Sequence, residues 1–246
     1  MDETLIWIAC AGFLAQLIDG ALGMAYGVSC TSLLLGLGLP PATASASVHA
    51  AECFTTGASA LSHWRLGNID RGLFLRLVLP GVLGAALGAL LLSALPGEAM
   101  KPWVAAYLLV MGVLILRKAL APPVPAGPLR RVAPLGFIGA LVDSLGGGGW
   151  GPVVSSTLLA RGGEFRKVVG SVNASEFFVT AASSAVFLVT LGLGHGDVIL
   201  ALAVGGVLAA PLGAWAAKHI RPRPLMLVVG LVVIALSLRT LLASLA

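Results

Sequence analysis

Charge is scarce in this chain. Asp, Glu, Lys and Arg make up 10% of its 246 residues, where soluble domains carry about 25%. Aromatic residues reach only 6%, and no stretch interleaves them with basic residues as a nucleic-acid surface would. The three cysteines, Cys10, Cys30 and Cys53, all lie in apolar segments and none is in C-x-x-C spacing. That argues against disulfides and thiolate metal sites and reads the three as small buried hydrophobes. A basic n-region is missing too: the chain opens Met-Asp-Glu-Thr, so no signal peptide is expected and the first helix should remain in place.

What is present is apolar. Hydrophobic residues make up 58% of the chain, and apolar runs of roughly 20 residues, enough to span hydrocarbon, recur throughout. The net charge of +5 therefore reads as basic loops facing an anionic bilayer surface, with no nucleic-acid partner.

The chain is also written twice. Gly12–Gly27 (GFLAQLIDGALGMAYG) lies over Gly136–Gly151 (GFIGALVDSLGGGGWG), matching Gly12/Gly136, Phe13/Phe137, Asp19/Asp143, Gly23/Gly147 and Gly27/Gly151. At the same offset Ala46–Thr56 (ASVHAAECFTT) answers Gly170–Thr180 (GSVNASEFFVT). With small shifts Lys101-Pro102 answers Arg223-Pro224, and Leu116-Arg117 answers Leu238-Arg239. The expected domains are a first repeat over 1–120, a cytoplasmic linker over 121–131 whose prolines forbid a continuous helix, and a second repeat over 132–246.

Each repeat reads as a broken hairpin followed by three spanning helices. The expected spans are 4–19 and 21–38, then 43–64, 72–95 and 102–120; in the second half 132–145 and 149–160, then 167–191, 197–217 and 224–244. The arms of the second hairpin, about 12–14 residues, reach only about 20 Å, too short for about 30 Å of hydrocarbon, so they should be re-entrant. Basic clusters follow the second element of the first half but the hairpin of the second half (Arg161, Arg166, Lys167). All lie on one side only if the halves insert upside down relative to one another, with both termini outside the cytoplasm. The expected fold class is an all-α polytopic membrane protein with two inverted-topology repeats, an architecture common among secondary transporters.

Chemistry concentrates where the hairpins reverse. Asp19 and Asp143 are read either as caps for the following helix or as titratable groups beside a substrate. The glycines Gly20, Gly23, Gly27, Gly147, Gly148 and Gly149 are read as ligand-facing turns, with Met24, Tyr26, Ser144 and Trp150 beside them. Leucine at Gly147 or Gly148 is then expected to abolish ligand binding without blocking insertion, with Gly205 and Gly206 as neutral controls. A polar stripe, Ser45, His49, Glu52, Thr56 and Ser59, recurs as Asn173, Glu176, Thr180 and Ser183. His49, Thr56, Asn173 and Thr180 are assigned to the substrate. Glu52 and Glu176, each in a helix without an interior Lys or Arg, are assigned to proton coupling.

These motifs resemble the sulfite exporter TauE/SafE family of the toluene-sulfonate uptake permease group. The resemblance rests on the G-F-x-x-x-x-x-D-x-x-x-G core of each half, the run Gly146–Pro152, the A-x-E-x-F element at Ala50–Phe54 and S-x-N-x-x-E-F-F at Ser171–Phe178. It implies a secondary transporter, an exporter, of a small sulfur-containing oxyanion such as sulfite or an organosulfonate like sulfoacetate, in the inner membrane. No enzyme activity, cofactor or metal is implied, and a homodimer is compatible. Left open are a cation or divalent-metal permease using Asp19, Asp143, Glu52, Glu176 and His49, and an intramembrane lipid-phosphate hydrolase, which lacks an Arg near either glycine turn.

Overall fold

The structure is a computed structural model and describes residues 3–122, 125, 127–192, 194–219 and 221–245. Met1 and Asp2 of the acidic start, and Pro123, Val124 and Ala126 of the linker, lie outside the described residues. All regular structure among those described is helical: α1 (Glu3–Leu22), α2 (Tyr26–Gly36), α3 (Pro41–Arg65), α4 (Arg71–Ala94), α5 (Gly97–Leu120), α6 (Val132–Gly146), a π-turn at Gly151–Ser155 running into α7 (Ser156–Ala160), α8 (Phe165–Leu191), α9 (Gly196–His219) and α10 (Pro222–Leu245).

Six helices, α1, α4, α5, α8, α9 and α10, are long and apolar enough to cross a bilayer. The expectation placed α3 among the spans and α1 among the hairpin arms; by length and apolarity alone α1 qualifies as a span and α3 does not. Twenty residues give α1 the length. The 25-residue α3 has the length but not the hydropathy, because Ser45, Ser47, His49, Glu52, Thr55, Thr56, Ser59 and His63 all lie along it. Each of these side chains is buried, so the stripe lowers hydropathy while facing protein. The remaining arms are short: α2 has 11 residues and α6 has 15.

The breaks fall later than expected. α1 continues past Asp19 to Leu22, and the chain turns at Gly23. α6 turns at Gly147. Both glycines adopt φ 68°, a left-handed conformation that Gly takes without a Cβ penalty, and both stop their helix in the same way. The Gly23 N–H bonds back to the Asp19 carbonyl, and the Gly147 and Gly148 N–H groups bond to that of Asp143.

Packing follows the internal duplication. α1 packs on α9 and its counterpart α6 on α4, while the counterparts α3/α8 and α5/α10 pack on each other. Small residues permit the close approaches, as is usual between membrane helices: a Cβ at Gly20 would lie 3.0 Å from the Gly213 backbone, and Gly84 and Gly88 abut the backbone of Phe137 and Leu141. α3 and α8 run antiparallel, Ser59 meeting Asn173 and Cys53 meeting Ser184. α5 and α10 do likewise, with Arg223 at Ala119 and Gly112 at Ile234.

One end of the bundle is basic. There Lys218 donates to the Leu66 carbonyl, Lys167 to Gly67, Arg76 to Leu129, Arg161 to Arg130 and Arg223 to Ala119. Basic side chains thus tie together the loops after α3, α5, α7 and α9.

Candidate functional site at the meeting of two hairpin tips

The α1–α2 turn and the α6–α7 turn meet in the interior. The Thr31 hydroxyl donates to the Gly147 carbonyl, and Ser155 Oγ donates to that of Gly23 at 2.7 Å. A Cβ on Gly27 would sit 2.9 Å from Gly148 Cα and 3.1 Å from Glu52 Oε1. The glycines of the two turns therefore lie against each other and against side chains; none of them faces an open cavity. Ser155, which bridges the tips, belongs to the π-turn, a local irregularity that recurs at functional sites.

Each Asp caps the arm that follows it. Asp19 Oδ1 accepts from the N–H groups of Ala25 (2.7 Å) and Tyr26 (3.2 Å), and Asp143 Oδ1 accepts from Trp150 N–H (2.9 Å). The partly positive N-terminus of a half-helix is thus already occupied by the protein's own carboxylate.

The second oxygens diverge. Asp143 Oδ2 lies 3.1 Å from His49 Nε2, with both residues buried. His49 Nδ1 lies 2.8 Å from the Ser45 carbonyl, which can only accept, so Nδ1 carries a proton and points Nε2 at the carboxylate. Asp19 Oδ2 has no such partner. Asn173, the repeat counterpart of His49, instead accepts from Ser59 (2.8 Å) and donates to the Val169 carbonyl (3.2 Å).

Glu52 and Glu176 are buried between the tips and the α3/α8 pair. Glu52 Oε1 lies 3.1 Å from where a Cβ on Gly27 would sit, and Glu176 Oε2 has no protein partner among the described residues. Four carboxylates thus share this interior with one imidazole that faces an acid. His63, also buried, donates to the Gly20 carbonyl (2.9 Å) and accepts from Asn68 (3.0 Å), which satisfies it as a structural neutral ring.

Other expected site residues are brought near but spoken for. Thr56 bonds to the Glu52 carbonyl and Thr180 to that of Phe177, each within its own helix. Tyr26 OH donates to Leu202 (3.0 Å) and Trp150 Nε1 to Val172 (3.2 Å). Ser144 Oγ pairs with Ser183 Oγ at 2.6 Å, and the fully buried Met24 packs on Gly151. Gly20 serves the α1–α9 contact. These two aromatics bolt each tip to a neighbouring helix.

Sequence reading missed Gln16, Thr31, Thr55, Tyr107 and Ser155. Gln16 had a signal, being a lone amide in an apolar helix one turn before Asp19. Both of its amide atoms, Thr55 Oγ1, Tyr107 OH and Glu176 Oε2 are buried without a protein partner. Tyr107 reaches from α5 so that its ring lies against Gly146 and its hydroxyl against Gly149; nothing in its local sequence announces that contact.

Comparison with known proteins identifies the family. The family model described as sulfite exporter TauE/SafE matches residues 8–240. The chain belongs to the TauE/SafE family. A relative in Bacillus subtilis (strain 168), described as the probable membrane transporter protein YtnM, is 46% identical over 251 aligned positions, covering 97% of this chain and 83% of the relative. No solved structure matches. This TauE/SafE chain is accordingly an integral membrane protein of a transporter family.

Proposed function

We propose that the protein is a secondary transporter that exports a small sulfur-containing oxyanion, sulfite or an organosulfonate such as sulfoacetate, coupled to protons. The observation that carries this reading is that each hairpin tip presents a half-helix N-terminus capped by a buried carboxylate, Asp19 or Asp143. An oxyanion suits the same N–H donors that a carboxylate suits. Protonation of Asp19 or Asp143 would weaken its cap and release those donors to the anion, so proton and anion would enter the site together. Glu52 and Glu176, buried in the same interior, would pass protons to and from the caps. The family and the Bacillus relative support transport as such; the choice of anion and the coupling rest on the capped tips and the buried acids.

The two halves are proposed to be inverted repeats in the bacterial inner membrane, the basic end cytoplasmic and both termini outside. The antiparallel packing of α3 on α8 and of α5 on α10 is what a two-fold axis in the membrane plane would produce. Single cysteines near Pro96 and His195 should react with an impermeant reagent from outside, and those near Arg71, Pro125 and Arg161 only from the cytoplasm. Outside labelling at Arg161 would remove the inverted arrangement.

Among the described residues no group of three or more His, Cys, Asp and Glu is placed to hold a metal ion, so nothing in the geometry favours the divalent-metal permease. The deciding experiment is a thermal-shift panel on purified protein with sulfite, sulfate, thiosulfate, taurine and sulfoacetate, followed by uptake into proteoliposomes. A bound ligand at 100 times its dissociation constant should stabilise by about 2.7 kcal/mol. A panel without a shift, together with uptake that follows a cation, would overturn the reading.

A further inference from the structure

At the basic end, where the C-terminus of α5 meets the N-terminus of α10, a groove of about 590 Å³ opens between the two helices and the loop after α7. Its polar lining is Lys118, Arg221 and Arg223; its apolar lining includes Pro122, Leu159, Phe165 and Met226. Among the described residues no carboxylate lines it. Among the described residues none of the three cations forms an ion pair, since the pairs found there are His49–Asp143 and Arg166–Glu164. Arg223 is held in place by its Nε–H, which donates to the Ala119 carbonyl at 2.9 Å, leaving its terminal N–H groups for another acceptor.

We propose that Lys118, Arg221 and Arg223 bind the phosphate of an anionic phospholipid headgroup, with the acyl chains lying along the outward faces of α5 and α10. Three uncompensated cations at the junction of two membrane-length helices sit at headgroup depth, where basic pockets between such helices attract anionic lipids. A free anion would have no use for the apolar half of the groove. The helix faces leading away from it are also apolar and outward, Leu120 at 69%, Val228 at 55% and Leu231 at 58% exposure. The duplication supplies a control. Lys101-Pro102 at the start of α5 is the counterpart of Arg223-Pro224 at the start of α10, at the opposite end of the bundle, and is not part of this groove.

The test is native mass spectrometry of the full chain released from micelles containing equal amounts of phosphatidylglycerol and phosphatidylcholine, with inorganic phosphate and glycerol 3-phosphate as competitors. The natural chain and Lys101→Gln should retain phosphatidylglycerol about tenfold over phosphatidylcholine, and the combined Lys118→Gln, Arg221→Gln and Arg223→Gln variant should show no preference. Arg221→Gln alone, at an exposed side chain, keeps the test open if the combined variant fails to fold, and should lower the ratio about fivefold. An unchanged ratio in these variants overturns the proposal. So does displacement of the lipid by millimolar phosphate or glycerol 3-phosphate, which would make the groove a site for a soluble anion.

Discussion

At the first hairpin Asp19 places one carboxylate oxygen on the N–H groups of Ala25 and Tyr26 and leaves the other without a protein partner; at the second, Asp143 caps Trp150 and turns its other oxygen to His49. The imidazole that serves the second hairpin comes from α3, in the first half, so that tip is completed by the opposite repeat. The counterpart residue Asn173 cannot carry a charge and has turned to Ser59. Gln16 adds an unpartnered amide beside the first tip where the second has Ala140, and Tyr107 fills the glycine notch of the second tip only. Two halves that match in backbone, down to the φ of Gly23 and Gly147, thus differ in the partners of their carboxylates. The backbone of a turn is dictated by its glycines, whereas the state of a carboxylate is dictated by whichever side chain reaches it.

The largest effect that could break this comparison lies at the glycines. A side chain on Gly148 (φ 156°) would strike the backbone of Gly27 and Val28, so Gly148→Leu should destabilise by roughly 3 kcal/mol or more and yield little monodisperse protein. This corrects the expectation that leucine there leaves insertion and purification intact. Gly23→Ala meets only the Ser155 hydroxyl at close range, at 3.0 Å, and should lose about 1–2 kcal/mol, chiefly from its positive φ. Equal losses by thermal unfolding would mean that the tips do not pack as described. Gly205 and Gly206 are not neutral controls either, since Cβ atoms there would meet Ala9 and Thr55.

Next come the caps. Asp19→Ala and Asp143→Ala each remove a cap that stabilises by about 1 kcal/mol, but only Asp143→Ala also strands His49 Nε2, which costs about 1–3 kcal/mol more. The second variant should therefore melt lower; the reverse order would sink the asymmetry argued above.

The exchange His49→Asn sharpens the comparison by making the second tip resemble the first. Its expected result is a flattened pH profile of transport in proteoliposomes with a modest loss of stability. Adding Asn173→His should restore pH dependence by placing an imidazole at the equivalent position facing the first tip. A profile unchanged in both variants removes the His49–Asp143 pair from the coupling. Glu52→Gln and Glu176→Gln keep shape while losing titration and should likewise change the profile more than the folding. Smallest is Tyr107→Phe: the hydroxyl makes no hydrogen bond among the described residues, so stability should stay within about 0.5 kcal/mol, and a larger loss would show a partner that the geometry lacks.

Much of this was legible from residue types alone. The repeats, the helical class, the turns near Gly23 and Gly147 and the inward stripe of α3 follow from periodicity and glycine placement. The capping role of Asp19 and Asp143 was one of two readings that spacing allowed, and the hydrogen bonds to Ala25, Tyr26 and Trp150 realise it. The end of α1 was placed at Asp19 because Asp reads as a helix start, while here the helix runs on to Leu22 and the Asp19 side chain reaches forward across the turn from the last turn of the arm.

Local sequence determined which segments are helical, where glycine lets them reverse and which faces are polar, because backbone preference and hydropathy act over a few neighbouring residues. Tertiary structure decided that the glycines of the two tips close on each other, that His49 serves Asp143 and not Asp19, and that Tyr107 fills the notch at Gly146 and Gly149. Those outcomes join residues of different helices, and contacts of that kind depend on how whole helices pack, which no stretch of sequence encodes by itself.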